Sequence, residues 1–516
     1  MPVDRALRTR ESRGGRSTRG RTPLTIEPGA GLPSARVPDL VLLDAAELSW
    51  VLHRREASCV EVMRAYLEHI DRFNPAVNAI VSRADDAKLL DEARQRDQEL
   101  DRGEPAGWMH GFPVAVKDLS NAGGFPTTMG SPVFAEHIAA ADDLHVRRMR
   151  EAGAIVLGKT NVPEFGLGSH TFNPVFGTTG NAYDPTRTAG GSSGGAGAAL
   201  ALRMLPVADG SDFMGSLRNP AAYGNIVSLR PGFGRVPAGG FLSEPAVVGP
   251  MGRTVRDIAL LLSTMAGPHE RAPLSIEQDP AVFTGDLQRS FDGTRIGWLG
   301  DFDGRIPTEP GVLDLCAGTF EAFTAAGCSV EPVSAPPDPA PAWETFLLWR
   351  SWMVGSAHAE LHADPATRGQ LKPEAVYEVQ RYLEFGAADI HRALQGRQHW
   401  YEQVCDLLDR YDFLLAPSAQ VFPFDAEQRW PGEIAGREMD TYHRWMEIVA
   451  PWTLAGNPVA NLPAGFTEGG LPMGVQLIGR NHGEWPLLQL AHAYELATDW
   501  THRVLPPALR ESGAAR

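Results

Sequence analysis

The spacing of apolar residues predicts helices near the start of the chain. Residues 43–53 and 58–74 carry apolar residues at helical intervals, and Ser58 with Glu61 forms a capping box at the start of the second helix. The apolar face of that helix comprises Val62, Tyr66, Leu67 and Ile70. Pro75 is expected to end it at Asn74, because a residue before proline disfavours the helical conformation.

Farther along, short apolar runs that predict strands alternate with helical patterns. The strands are predicted over 111–118, 154–161, 412–419 and 473–479, and the helices over 84–102 and 142–153. The run "AGAALALRML" after "GGSSGG" is apolar all round, which indicates a buried helix beginning at a glycine loop. This alternation is typical of an α/β fold.

The proline-rich stretch 332–342 is the clearest internal break, and residues 343–411 after it have a largely helical pattern. Aromatic residues recur every three positions at the start of this segment: Trp343, Phe346, Trp349 and Trp352. We interpret them as a core-packing stripe, with the wall of a substrate pocket as the alternative.

Composition narrows the possible partners. The 516 residues are 43% hydrophobic and carry a net charge of −16, which argues against nucleic acid or an anionic membrane as a partner. No apolar run approaches the length of about 18 residues that suggests a membrane helix. None of the four cysteines lies in a C-x-x-C pair, so we expect no zinc site or disulfide framework, and a reducing, cytoplasmic location.

The first residues differ from the rest of the chain. Residues 1–21 contain seven arginines and no apolar stretch typical of a secretory signal. We therefore expect residues 1–36 to be a disordered tail and residues 37–510 to form a single catalytic domain, in which the helical segment 343–411 could shape the substrate site.

Two short motifs suggest chemistry but are weak signals. "HAELH" at 358–362 places its glutamate one position too late for the zincin motif, so a metal site is not expected. The stretch Gly190–Gly194 matches G-x-S-x-G, the nucleophile elbow of α/β-hydrolases, with Ser192 as its serine. That interpretation needs an acid and a histidine later in the chain, and no histidine there stands out.

A stronger constellation combines three sites. Lys117 ends an apolar strand, where its ammonium group either reaches solvent or is buried with a lowered pKa. Ser192 lies in the glycine loop, and Ser216 stands between Asp212 and Arg218, which could pair and fix the loop. The residue types alone leave these alternatives open.

At these positions the chain resembles the amidase signature family. The resemblance rests on "GFPVAVKD", "NAYDPTRTAGGSSGGAGAALA" and "GSDFMGSLRNPAA", with Lys117, Ser192 and Ser216 separated by 75 and 24 residues. Further similar stretches are "NPAVNAIV", "GKTNVPEFG", "NPVANLPAG" and "GLPMGVQLIG", so the resemblance extends over about residues 40–500. It implies an α/β fold in which helices surround one large twisted mixed sheet of about eleven strands.

The resemblance also implies catalytic roles. Ser216 would be the nucleophile, Ser192 the bridging serine in a cis peptide after Gly191, and Lys117 the terminal base. A serine needs a neighbour to take its proton, and a lysine can do so only when neutral. The implied oxyanion hole consists of backbone N–H groups of Phe213, Met214, Gly215 and Ser216, and the implied loop supports are Gly191, Ser193, Asp212 and Arg218.

One position departs from the family pattern. Two glycines usually precede the nucleophile, whereas here the pair is Met214–Gly215. Methionine still supplies a backbone N–H, but it disfavours positive φ and places a bulky side chain beside the site. We expect an altered pocket shape and an intact catalytic triad.

The predicted reaction is hydrolysis of a carboxylic amide through an acyl-enzyme, with esters and carbamates (urethanes) as related substrates and no cofactor or metal. The alternatives are an amidotransferase A-type subunit that releases ammonia for a tRNA-dependent complex, and a non-catalytic binding protein. The aromatic stripe, with Phe213, Met214, Tyr442, Trp445 and Trp452, suggests an apolar or aryl small-molecule substrate. The protein is expected to be a monomer or homodimer.

Overall fold

Helices and strands alternate along the chain in the computed structural model, which describes residues 40–242 and 245–511. The predicted tail at 1–36 lies outside the described residues. The helices are α1 (Ala45–His53), α2 (Cys59–Val77), α3 (Asp86–Asp101), α4 (Leu144–Glu151), α5 (Gly194–Ala201), α6 (Arg218–Gly224), α7 (Val255–Met265), α8 (Val312–Ala317), α9 (Phe320–Ala325), α10 (Ala340–Ala363), α11 (Pro365–Arg368), α12 (Pro373–Leu383), α13 (Ala387–Arg410), α14 (Ala450–Ala455), α15 (Glu484–Thr498), α16 (Trp500–Arg503) and α17 (Pro507–Glu511).

The strands form two principal sheets and two short ribbons. They are β1 (Ile80–Val81), β2 (Pro113–Lys117), β3 (Ile155–Thr160), β4 (Phe172–Asn173), β5 (Gly177–Thr178), β6 (Ala208–Asp212), β7 (Val227–Arg230), β8 (Val247–Gly252), β9 (Arg295–Trp298), β10 (Ser329–Pro332), β11 (Phe413–Pro417), β12 (Glu433–Ile434), β13 (Arg437–Glu438), β14 (Val459–Phe466) and β15 (Pro472–Ile478). An eight-stranded mixed sheet has the order β10-β9-β11-β15-β14-β7-β8-β6, and a three-stranded sheet has the order β1-β3-β2.

The expected α/β fold is confirmed, but its eleven or so strands are divided between these two sheets rather than hydrogen-bonded in one. The sheets meet where β2 approaches β6. The backbone N–H of Lys117, at the end of β2, donates to the Asp209 carboxylate on β6 at 3.0 Å. A side-chain contact thus replaces backbone pairing at this junction.

Helix α2 begins as predicted, but its predicted end is wrong. Ser58 caps it and accepts from the N–H of Glu61, while the helix continues through Pro75 to Val77. Proline in the last turn removes few helical hydrogen bonds. The Asn74 side chain holds this end, because its Oδ1 accepts from the N–H groups of Ala79 and Ile80 at 2.9 and 2.8 Å.

The segment after the proline-rich stretch is helical, as predicted, and forms α10 to α13. Its aromatic residues Trp343, Phe346 and Trp349 are buried, whereas Trp352 is partly exposed. They pack in one apolar cluster with Met214, Trp445 and Trp452. This cluster fixes the helical segment against the loop that contains Ser216.

Candidate active site

Lys117 is fully buried at the end of β2, and its amine contacts four oxygen atoms. Nζ lies 2.9 Å from Ser192 Oγ, 2.8 Å from Ser193 Oγ, and 2.9 and 3.1 Å from Oγ and the carbonyl oxygen of Ser211. The carbonyl can only accept, while each hydroxyl can donate or accept. A neutral amine can therefore donate two hydrogens here and accept one from a serine hydroxyl.

Burial lowers the pKa of Lys117 from its ordinary value near 10.5 to about 7. The negative charges of Asp209 and Asp212 act in the opposite direction but do not cancel the desolvation. A large fraction of this lysine is thus neutral near pH 7. Of the two alternatives for Lys117, the structure shows the buried one, in which desolvation lowers the pKa.

The glycine loop before α5 brings backbone close to backbone. The peptide bond between Gly191 and Ser192 is cis. A Cβ added at Gly195 would lie 2.3 Å from the backbone nitrogen of Asn161, so only glycine fits this first turn of the helix. Ser169 Oγ donates to the Gly191 carbonyl at 2.6 Å and fixes the loop from outside.

Ser216 lies beside this loop, in the turn between β6 and α6. Its carbonyl oxygen accepts from the N–H of Ser193 at 3.3 Å, and 6% of the residue surface is exposed. The structure therefore brings Lys117, Ser192, Ser193 and the Ser216 turn together from separate parts of the sequence.

The Asp212 carboxylate organises the Ser216 turn. It accepts from the N–H of Gly215 at 2.8 Å and from that of Leu217 at 3.1 Å. Nε and Nη2 of Arg218 donate to its two oxygens at 2.9 Å each. Burial alone would raise the pKa of Asp212, but Arg218 and Arg230 hold it well below its usual range. Asp212 is therefore a permanent anion at the base of this turn.

Gly215 is the residue in this turn that needs glycine. Its φ is 82°, and an added Cβ would lie 2.1 Å from Asn219 Oδ1. Met214 does not have a positive φ, so a side chain is tolerated there. Since the Gly215 N–H is engaged by Asp212, the turn offers the N–H groups of Phe213, Met214 and Ser216, which make no hydrogen bond to residues that the structure describes.

Half-buried aromatic rings lie near the serines. Phe213 and Phe165 pack against an apolar cluster made of Leu167, Val354, Leu371 and Ala375. Phe165 directly precedes Gly166, where an added Cβ would lie 3.5 Å from Ser192 Oγ. An apolar surface therefore extends from the serines toward helices α10 and α12.

Sequence reasoning missed two residues of this site, Asp209 and Ser211. Alternate residues of a strand point to one side, so Asp209 and Ser211 of β6 both face Lys117. The signal was present in "ADGSD", where the polar residues Asp209 and Ser211 stand two positions apart in a short strand.

The "HAELH" motif does not assemble a metal site. His358 Nδ1 lies 2.7 Å from the Val354 carbonyl, and its ring packs edge-on against Phe165 at 4.5 Å. Within residues 40–242 and 245–511, no three His, Cys, Asp or Glu side chains are grouped so as to hold a metal ion. Among the described helices, none has the length and apolar character needed to cross a bilayer.

The chain is similar to known amidases over most of its length. The sequence profile of the family described as Amidase matches residues 61–488. An acylamidase of Rhodococcus erythropolis is 32% identical, with 89% of this chain and 96% of the relative covered. The A-type subunit of the glutamyl-tRNA(Gln) amidotransferase of Dechloromonas aromatica is 33% identical over 89% and 97% of the two chains. The crystal structure of a bacterial aryl acylamidase of the amidase signature family superposes with a TM-score of 0.83 at 27% identity, covering 89% and 97%.

Proposed function

The chain belongs to the amidase family and is an amide-hydrolysing enzyme, and we propose that it acts through a Ser216–Ser192–Lys117 relay. The observation that carries this proposal is the 2.9 Å contact between Ser192 Oγ and the Nζ of a fully buried Lys117. Burial keeps much of that lysine neutral at pH 7, as a base requires.

In the proposed first step, Ser216 Oγ attacks the carbonyl carbon of the amide. Its proton passes to Ser192 Oγ, while the Ser192 proton passes to Lys117 Nζ. The tetrahedral intermediate then collapses, the C–N bond breaks, and the relay returns a proton to the departing nitrogen. Water attacks the carbonyl carbon of the resulting ester and loses a proton to the relay. The bond from this carbon to Ser216 Oγ then breaks, the relay returns the proton to Oγ, and the carboxylic acid is released.

We propose that the oxyanion hole uses three of the four amides expected from the sequence. The N–H groups of Phe213, Met214 and Ser216 are available, whereas that of Gly215 donates to Asp212. Removing one such donor costs about 3–4 kcal/mol of barrier in serine hydrolases. Asp212 and Arg218, which join the turn to the main sheet, act as supports of this geometry.

The substrate that we propose is a small molecule with an apolar or aryl group on its amide. Support comes from the apolar surface beside Phe213 and Phe165 and from the aryl acylamidase likeness. We further propose that the segment 343–411 shapes this pocket within one catalytic domain over 37–510, and that the enzyme is a monomer or homodimer. The four cysteines are free thiols, which supports a reducing compartment such as the cytoplasm.

The likeness to the A-type amidotransferase subunits supports a second candidate, ammonia release for a tRNA-dependent partner complex. The two functions differ in what the isolated chain does. A self-contained hydrolase turns over aryl amides, aliphatic amides or aryl carbamates without a partner. An amidotransferase subunit would co-purify with its partners and would hydrolyse none of these model substrates at a useful rate.

Active-site labelling tests the nucleophile directly. Treatment with a fluorophosphonate probe followed by peptide mass spectrometry should locate the label on Ser216, and Ser216→Ala should lose the label and nearly all turnover. The control is Ser192→Ala, which should retain its fold and react slowly at Ser216. A label on Ser192 in the unmodified enzyme would instead favour the G-x-S-x-G elbow.

A further inference from the structure

Arg350 of helix α10 is a buried cation beside the nucleophile turn, and no step of the proposed relay uses it. Only 2% of the residue is exposed. Its Nε donates to Glu378 Oε1 at 2.9 Å, and its Nη2 donates to the Tyr442 hydroxyl at 2.7 Å. Its guanidinium carbon lies 5.3 Å from the centre of the Phe213 ring. The guanidinium group is thus held by an acid and a phenol and lies close to the Phe213 ring.

Phe213 is held between two residues of the same helix. Phe346 lies one turn before Arg350 on α10, and its ring centre is 5.9 Å from that of Phe213. Residues four apart occupy the same helix face, so both side chains meet the Phe213 ring together. Phe213 directly follows Asp212 and carries one of the proposed oxyanion-hole amides. A displacement of the Phe213 ring can therefore shift the backbone that carries this N–H.

The support behind Arg350 is a network of buried hydrogen bonds. Glu378 of α12 also accepts from Ser351 Oγ at 2.7 Å and from the Tyr442 hydroxyl at 2.7 Å. One buried carboxylate thus joins α10, α12 and the loop at Tyr442. Breaking hydrogen bonds in a buried network is costly, so the network favours one arrangement of the elements that it connects.

We propose that Arg350 is a positioning residue that acts through Phe213. It fixes the Phe213 ring and thereby the backbone amides that bind the oxyanion. This inference rests on the proposed function, because it assumes that the Ser216 turn contains the oxyanion hole. It assigns to Arg350 an effect on transition-state stabilisation and none on the ionisation of Lys117.

The test compares Arg350→Met with Arg235→Met. Arg235 is an internal match, since it is also 2% exposed, pairs with a buried acid, Glu484, at 2.8 Å and lies 5.3 Å above a phenylalanine ring, that of Phe283. Both changes leave a buried carboxylate without its cation and should lower the melting temperature similarly. Only Arg350→Met should lower kcat, by about 10- to 100-fold with KM within about threefold, because misplaced catalytic groups cost rates of that order.

Two measurements distinguish a positioning role of Arg350 from a contribution to the stability of the fold alone. The rate of fluorophosphonate labelling at Ser216 should fall with kcat in Arg350→Met, while the midpoint of the pH–rate profile stays at the wild-type value. The double variant Arg350→Met/Phe213→Leu should be no slower than the slower single variant, because residues that act through one contact are not additive. If Arg350→Met does not fold, Tyr442→Phe releases the guanidinium more gently and should lower kcat in the same way.

The inference is overturned if the folded Arg350→Met or Tyr442→Phe enzyme keeps the wild-type kcat and labelling rate. It is also overturned if the loss of kcat in the double variant Arg350→Met/Phe213→Leu equals the product of the losses in the two single variants. These outcomes leave Ser216 labelling in the wild type intact. A wild-type enzyme that is not labelled at Ser216 would overturn the proposed function instead, so the two failures are distinguishable.

Discussion

The rate of hydrolysis should rise with pH through one ionisation near 7, that of Lys117. A lysine with an ordinary pKa near 10.5 would be neutral in about 0.03% of molecules at pH 7, whereas a pKa of about 7 leaves about half of them neutral. The proposed base works only when neutral, so activity is lost as pH falls and gained as it rises. The value of kcat/KM should increase about tenfold from pH 6 to pH 8.

Asp209→Asn perturbs this ionisation in a defined direction. The Asp209 charge raises the pKa of Lys117 against the effect of burial, so its removal should lower that pKa further. The amide oxygen can still accept from the Lys117 N–H, which preserves the contact at 3.0 Å. A shift of about 1 in pKa, typical of a lost neighbouring charge, would reduce the difference in kcat/KM between pH 6 and pH 8 from about tenfold to about twofold.

The assay is kcat/KM between pH 5 and pH 9 for the wild type, Asp209→Asn and Lys117→Arg. Asp257→Asn is the control, because burial raises the pKa of Asp257 to about 7 as well, and this residue contacts the N–H of Ala46 rather than the site. Removal of the Asp257 charge should leave the midpoint of the pH–rate profile unchanged. A midpoint that rises in Asp209→Asn, or near-normal turnover of Lys117→Arg at pH 7, would refute the role of Lys117, since guanidinium stays charged.

Two further predictions concern the nucleophile turn and the N-terminus. Gly215→Ala should reduce the free energy of unfolding by about 2–4 kcal/mol in chemical denaturation and abolish most turnover, because the new Cβ meets Asn219. The control is Gly103→Ala, which has a similar φ of 73° and open space around it. It should reduce the free energy of unfolding by only about 1 kcal/mol and leave turnover unchanged. Deleting residues 1–36 should change neither the melting temperature nor kcat, and a loss of either would mean that this segment packs on the enzyme.

Local patterns predicted the elements of the fold better than their assembly. The predicted strands at 412–419 and 473–479 appear as β11 and β15, which pair with each other. Apolar runs indicate such strands because both faces are buried. The division into two sheets depends on how β2 approaches β6, a contact between distant segments that periodicity does not encode. The continuation of α2 through Pro75 likewise depends on what the Asn74 side chain binds.

For the active site, too, the sequence predicted some residues, and the structure alone identified others. Resemblance named Lys117, Ser192 and Ser216, because their spacing belongs to a long motif. It did not identify Ser211, whose Oγ lies 2.9 Å from Lys117 Nζ, since a serine in a strand is ordinary until the partner across from it is known. Nor could it reveal that Asp212 engages the N–H of Gly215, which depends on how the turn folds back on the strand.

Met214 connects the nucleophile turn to helix α10. Because Gly215 alone in this turn has a positive φ, a side chain at the preceding position costs little in backbone conformation. That side chain is 3% exposed and packs in the cluster that contains Phe346 and Trp349 of α10. A glycine there would lose this contact, whereas methionine adds apolar packing between the turn and the helical segment. The departure from the family pattern therefore makes the nucleophile turn and helix α10 one packed unit, so changes in α10 should reach the chemistry of Ser216.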